Sequence, residues 1–129
     1  MNELRILIVE DVPDMRKFIK NALTRGFTNC HVDETGDGIE AKKQIEMTDY
    51  DIVLLDWGIP QLSGEELLQW ARSTEKYKNL PFIIVTGHRE RERVIKAMEL
   101  GISGYLFKPL TLDTLIQKIK EVIAKFGKK

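Results

Sequence analysis

Residues 51–60, Asp51-Ile52-Val53-Leu54-Leu55-Asp56-Trp57-Gly58-Ile59-Pro60, decide the fold. Four consecutive branched apolar residues without polar alternation read as a strand buried on both faces. Such a strand belongs to a parallel sheet covered by helices on either side. It ends on a carboxylate, Asp56, and a loop containing Gly58 and Pro60 follows at once. Ligands of open parallel sheets gather in the crevice beyond the carboxyl ends of the strands, so Asp56 is expected at a site.

Upstream, Leu4 to Val9 (LRILIV) is a similar run that ends in the acidic pair Glu10-Asp11, and Pro13 supplies the backbone angle favoured at a first helical position. Met15, Phe18, Ile19, Ala22 and Leu23 share one helix face, and Gly26 suits the helix exit. Thr28 to Glu34 is more polar, as an edge strand would be, with Val32 and Cys30 turned inward and His31 exposed. Gly36-Asp37-Gly38 turns into a helix reaching about Met47, with Ile39, Ala41 and Ile45 as its apolar stripe.

Downstream, Ser63-Gly64-Glu65-Glu66 is a capping box that opens a helix burying Leu67, Leu68 and Ala71. Pro81 to Thr86 (PFIIVT) is the next strand. His88 to Leu100 then reads as a helix with a charged start, packing through Val94, Ile95, Ala97 and Met98 and capped by Gly101. Ser103 to Lys108 is the last strand. Thr111 caps a final helix whose apolar face runs through Leu112, Leu115, Ile116, Ile119, Ile123 and Phe126.

Five strand and helix units in strict alternation predict an α/β fold: a five-stranded parallel sheet, doubly wound, in the flavodoxin-like order. At 129 residues and 43% hydrophobic content the chain suits a single domain, 1–129. Twenty basic residues against twenty acidic ones argue against a protein that holds nucleic acid or an anionic membrane by bulk charge. Cys30 stands alone, so no internal disulfide and no CxxC metal site forms. The N-terminus carries no secretory signal, and no stretch approaches the ~18 apolar residues of a membrane span, so a soluble, cytoplasmic protein is expected.

In a parallel sheet the strand ends share one edge. Here they carry Glu10 and Asp11, then Asp56, Thr86 and Lys108. Each alone has an ordinary explanation: Asp11 as a helix cap, Glu10 as a solvated acid, Thr86 as a strand residue, Lys108 as a surface charge. Unrelated structural needs would not gather all five on one edge. Two carboxylates 4 Å apart repel by roughly 4 kcal/mol at an effective dielectric of about 20, so three acids need more cation than one lysine supplies. An all-oxygen set without His or Cys favours Mg²⁺ over zinc. With such a metal, Asp56 is placed to attack phosphorus and form an acyl phosphate, Lys108 to neutralise the phosphoryl oxygens and Thr86 to donate a hydrogen bond. No GxxxxGK[ST] loop and no kinase-type glycine loop is present, so the donor must bring its own activated phosphoryl group.

In these residues the chain resembles the receiver domains of two-component response regulators, and among them the single-domain chemotaxis regulators. The resemblance runs nearly end to end and rests on Glu10-Asp11, on Asp56 with Trp57 and Pro60, on Thr86-Gly87, on Tyr105 and on Lys108-Pro109. It implies that Asp56 accepts a phosphoryl group from a phosphohistidine of a partner histidine kinase or phosphotransfer protein. It further implies that Asp11, Asp56 and the backbone carbonyl of Gly58 hold Mg²⁺, with Glu10 acting through a metal-bound water, and that the Lys108-Pro109 bond is cis. Thr86 and Tyr105 would act as the switch, altering the surface of the fourth helix, fifth strand and fifth helix for a downstream target protein. The protein would be a monomeric phosphoprotein that catalyses only its own phosphoryl transfer and autodephosphorylation.

Three positions depart from the family. Glu10 stands where many members have Asp, Gly58 where the chemotaxis members carry a polar side chain, and His88 is unusual two residues beyond Thr86. The last two modulate acyl-phosphate lifetime in the family; His88 also fits a solvated helix start. An alternative is a receiver domain excised from a larger regulator with a DNA-binding or enzymatic output domain. A phosphatase with an aspartate nucleophile would need a second acid where Gly58 stands, and a flavin phosphate would be repelled by Glu10-Asp11.

Overall fold

In a computed structural model describing residues 3–87 and 91–125, the chain alternates strand and helix throughout. The elements are β1 (Leu4–Val9), α1 (Pro13–Gly26), β2 (Cys30–Thr35), α2 (Gly38–Met47), β3 (Ile52–Leu55), α3 (Gly64–Arg72), β4 (Phe82–Thr86), α4 (Arg91–Leu100), β5 (Gly104–Phe107) and α5 (Leu112–Lys125). One sheet forms in the order β2-β1-β3-β4-β5, and every neighbouring pair is parallel. This is the doubly wound, flavodoxin-like arrangement.

The apolar strand runs fill both faces of the sheet. Leu7, Val9, Val53, Leu55, Phe82 and Ile84 pack with Ala41 and Ile45 of α2, Leu67, Leu68 and Ala71 of α3, and Ala97 of α4. The alternate residues Ile6, Ile8, Ile52, Leu54, Ile83 and Val85 pack with Ile19, Ala22 and Leu23 of α1 and Leu115, Ile119 and Val122 of α5. Each fully buried aliphatic side chain contributes roughly 1.5–3 kcal/mol, so the three central strands supply most of the hydrophobic stabilisation. Strand β2 lies at an edge; Cys30 and Val32 pack against the second core while His31 is exposed.

The helix starts follow the sequence. Asp37 accepts a hydrogen bond from the Glu40 N–H (2.7 Å), and Thr111 accepts one from the Thr114 N–H (3.1 Å). Ser63 and Glu66 form the reciprocal capping box. Gly101 has φ +96°, and its N–H donates to the carbonyls of Ala97 and Met98. The Lys108-Pro109 bond is cis.

The stripes read from helical spacing are wider than those the sheet covers. Phe18, Ile39, Ile95, Met98 and Leu112 are exposed rather than buried. A helix lying on a sheet buries the line of residues directly beneath it, and these five stand on its flanks. On α5 that line is Leu115, Ile119 and Val122. Gly26 is the last residue of α1, and the left-handed residue of the following turn is Asn29, φ 55°, a residue type that tolerates this conformation. The helix expected from His88 is described from Arg91, so His88, Arg89 and Glu90 lie outside the described residues, as does Phe126. Among the described residues no helix is long and apolar enough to cross a membrane.

Helix α2 and the loop after β3 fit closely at Gly38. Its N–H donates to the Pro60 carbonyl (3.2 Å), and a Cβ there would lie 1.9 Å from the Leu62 carbonyl oxygen. Gly→Ala at a compatible helical site ordinarily stabilises by about 0.4–1 kcal/mol. Gly38→Ala is expected to reverse that sign. Ser63→Ala, which loses only the cap, should cost about 1 kcal/mol. Urea midpoints of both variants check the pair; a Gly38→Ala variant as stable as the wild type would show that the loop yields freely.

Candidate functional site

Strand register assembles the site. Val9 and Leu55 are partners in the β1–β3 pair, so the residues that follow them, Glu10 and Asp56, emerge side by side. The Asp56 N–H donates to the Val9 carbonyl (2.9 Å), and the Glu10 N–H donates to the Thr35 carbonyl (3.0 Å). Asp11 is exposed beyond them. It does not cap α1, because Val12 occupies the N-cap position and no side chain caps that end. Carboxylate oxygens of Glu10, Asp11 and Asp56 lie within 4.8 Å of one another.

Lys108 reaches into this cluster from β5, on the far side of β4. Its Nζ donates to Asp56 Oδ2 (3.1 Å) and stands 2.7 Å from Glu10 Oε1. The second contact is an ion pair without hydrogen-bond alignment, which leaves Glu10 Oε1 a buried oxygen lacking a hydrogen-bond partner. Glu10 Oε2 accepts from the Val12 N–H (3.1 Å), and Asp56 Oδ1 from the Gly58 N–H (3.2 Å).

Burial sets the electrostatics. Glu10 is 2% exposed, and desolvation raises its carboxyl pKa, with Asp56 adding to the rise and Lys108 opposing it. Burial works against the charge of Lys108, but Glu10 and Asp56 outweigh it and raise the ammonium pKa. The ammonium therefore stays charged, and it leaves the excess negative charge of three acids only partly balanced.

The loop after Asp56 alternates anchors and exposed residues. Trp57 and Ile59 are buried in the first core, whereas Gly58 and Pro60 face solvent. The Gly64 N–H donates to the Trp57 carbonyl (3.2 Å). Gly58 is thus held, exposed, at the rim of the site.

Thr86, at the end of β4, is fully buried, and the Lys108 N–H donates to its carbonyl (2.9 Å). Tyr105 is half-buried in β5, with its ring centroid 5.0 Å from that of Phe107. The structure thus brings Glu10, Asp11, Asp56, Gly58, Thr86 and Lys108 to one edge, with Tyr105 two rungs behind; His88 lies outside the described residues. His31 and Cys30 begin β2 at the opposite edge.

Arg16 was not singled out in the sequence. Its Nη1 donates to the Glu10 carbonyl (2.8 Å) and its Nε to Glu34 Oε1 (3.2 Å), tying α1 and β2 to the acidic turn. Only its place one helical turn after Val12 hinted at this. The all-oxygen donor set, with Glu10 Oε1 lacking a hydrogen bond and Asp11 exposed, fits a hard divalent cation with open positions for water.

Residues 6–120 match the response regulator receiver domain family. The chain is 38% identical over 120 residues to the chemotaxis protein CheY-3 of Vibrio cholerae, covering 92% of this chain and 91% of that protein. It is also 38% identical over 120 residues to the chemotaxis protein CheY of Pseudomonas aeruginosa, covering 92% and 95%. A receiver domain of a Pseudomonas aeruginosa sensor histidine kinase, solved with magnesium coordinated in its active-site cleft, superposes with TM-score 0.85 at 27% identity, covering 95% and 99% of the two chains. The Vibrio cholerae chemotaxis protein CheY4 shares the fold with TM-score 0.86 at 24% identity, covering 94% and 99%. The chain therefore belongs to the response regulator receiver domain family, as a CheY-like domain of two-component signalling.

Proposed function

We propose that the chain, as a single receiver domain over residues 1–129, is a phosphoacceptor switch whose acceptor is Asp56. The observation that carries this reading is the joint placement of Glu10, Asp11 and Asp56 oxygens within 4.8 Å, with the Lys108 ammonium 3.1 Å from Asp56. Asp11, Asp56 and the Gly58 carbonyl would hold Mg²⁺, with Glu10 reaching it through water. The bound cation would supply positive charge against phosphoryl oxygens.

In the transfer, an Asp56 carboxylate oxygen attacks the phosphorus of a partner's phosphohistidine. The P–N bond breaks, its electron pair stays on the imidazole, and a P–O bond forms to Asp56. Lys108, already hydrogen-bonded to Asp56 Oδ2, stands ready to neutralise the incoming oxygens. The product adds about two negative charges and three acceptor oxygens where one carboxylate stood, enough to draw the Thr86 hydroxyl toward it. Tyr105 follows Thr86 inward, and the surface of α4, β5 and α5 changes for a downstream target. The partners are thus a histidine kinase or phosphotransfer protein and a target protein, with the domain acting as a cytoplasmic monomer and no nucleic acid bound directly.

Incubation with Mg²⁺ and acetyl phosphate, followed by intact mass, should show one added phosphoryl group on the wild type and none on Asp56→Asn. A mutant that gains the group as readily would refute the assignment. Lys108→Ala should retain part of the phosphorylation yet lose most of the phosphorylation-dependent gain in target affinity, measurable by titrating the purified target. Equal affinity of phosphorylated mutant and wild type would remove Lys108 from the switch.

Glu10 generates a stability prediction. Its carboxyl pKa is raised in the folded protein, so folding disfavours the ionised form, and the penalty is present above that raised pKa and relieved as pH falls through it. Without divalent cations, Glu10→Gln should raise the unfolding midpoint at neutral pH. The gain should shrink on acidification, and Mg²⁺ affinity should fall at the same time. A Glu10→Gln variant less stable at neutral pH would mean that the Lys108 pair outweighs burial.

A further inference from the structure

The geometry points to Arg16 as a positioning residue for Mg²⁺: its guanidinium holds the peptide that joins Glu10 to Asp11, and so strengthens the hold of the acidic site on the cation. This rests on the reading of Glu10, Asp11 and Asp56 as the metal site. Arg16 Nη1 donates to the Glu10 carbonyl (2.8 Å). That oxygen belongs to a planar unit of six atoms that includes the Cα of Glu10 and the Cα of Asp11. One hydrogen bond therefore bears on the backbone of both acids. The Glu10 N–H also donates to the Thr35 carbonyl (3.0 Å), and Glu10 Oε2 accepts from the Val12 N–H (3.1 Å). Glu10 is buried and held through its side chain as well, whereas Asp11 is exposed, so the shared peptide matters most to Asp11.

The guanidinium is itself aimed. Its Nε donates to Glu34 Oε1 (3.2 Å) on β2, and Glu34 Oε2 pairs with the Lys20 Nζ (3.3 Å) one turn further along α1. Both oxygens of Glu34 are thus engaged from α1. A Cβ at Gly36 would lie 3.1 Å from Arg16 Nη1 and 3.8 Å from Asp11 Cα and the Glu10 carbonyl oxygen, so the fork is seated against the acidic turn. Val12, the N-cap of α1, makes no side-chain capping bond that could hold the turn instead. A planar fork can serve two separate acceptors in fixed geometry, which the point charge of a lysine cannot. Partners of this kind orient metal ligands without touching the metal. As a charge alone, Arg16 would oppose a cation bound nearby. As an anchor it favours that cation, and the two roles differ in sign.

The test is isothermal titration calorimetry of Mg²⁺ into metal-free wild type, Arg16→Gln, Arg16→Lys and Lys20→Gln at one ionic strength, each shown to be folded by circular dichroism. Arg16→Gln should raise the Mg²⁺ Kd about 10-fold, the low end of the range for partners of metal ligands. Arg16→Lys, which keeps the charge and loses the fork, should raise it as well. Lys20→Gln removes the same charge from the same helix without touching the Glu10 carbonyl, and should match the wild type. A lower Kd in Arg16→Gln would show a nearby charge and nothing more, and an unchanged Kd a role in folding alone; either overturns the proposal, as would an equal rise in Lys20→Gln. If Arg16→Gln does not fold, Arg16→Lys decides, and an unchanged Kd there overturns the proposal. A wild type that binds no Mg²⁺ would overturn it together with the metal site. A wild type that binds Mg²⁺ and accepts a phosphoryl group, with Arg16→Gln binding as tightly, would overturn the role of Arg16 alone.

Discussion

Among the described residues, three carboxylates share one end of the sheet with the Lys108 ammonium, and the rest of the structure is arranged to make that tolerable. Water would solvate these acids at no cost, yet Glu10 is 2% exposed and Asp56 9%. Each carboxylate removed from water without full compensation costs several kcal/mol. The expense is carried by the apolar strands directly behind the acids, where Ile8, Val9, Val53 and Leu55 are wholly buried. A site of this kind belongs at the end of a strand buried on both faces, because only there does so much hydrophobic stabilisation lie within one or two residues of the charge.

Strand order then determines which groups meet. β1 and β3 are neighbours, so their terminal acids emerge side by side; β5 lies two strands from β3, and only a long side chain crosses that gap. Lysine suits the position because its ammonium sits at the end of a flexible four-carbon stem. The consequence is mechanical as well as electrostatic. Lys108 joins the acidic half of the sheet through its side chain and the β4 end through its backbone bond to Thr86. On the proposed reading, a change of charge at Asp56 is transmitted along that one residue, with no distributed network required.

The sheet, its order and the edge carrying the reactive groups were legible because each depends on local pattern: unbroken apolar runs, caps such as Ser63 and Glu66, and the alternation of strand and helix. Phe18, Ile39 and Met98 were misread as buried because helical spacing gives the direction of a side chain and not the width of the surface beneath it. Arg16 was scarcely legible for a different reason. Its partners are a backbone carbonyl at Glu10 and the Glu34 side chain on another strand, and no local pattern marks a contact made by the fold itself. The Phe107 contact with Tyr105 shares that origin: adjacency in sequence was plain, but the rung it occupies opposite Thr86 follows only from the register.

The rim of the site poses the remaining physical question, which is access. Gly58 faces solvent without a side chain, and a Cβ added at Gly87 would meet nothing within 4 Å. Trp57 and Ile59 hold the loop in place through the core, so the opening at Gly58 is fixed by packing on either side of it. On the proposed reading an open rim suits a bulky donor, since a phosphohistidine carried on another protein would bring its phosphorus within reach of Asp56. The same opening would admit water to an acyl phosphate formed there. Approach of such a donor and hydrolysis of its product would then use one entrance, and a side chain placed at position 58 would obstruct both.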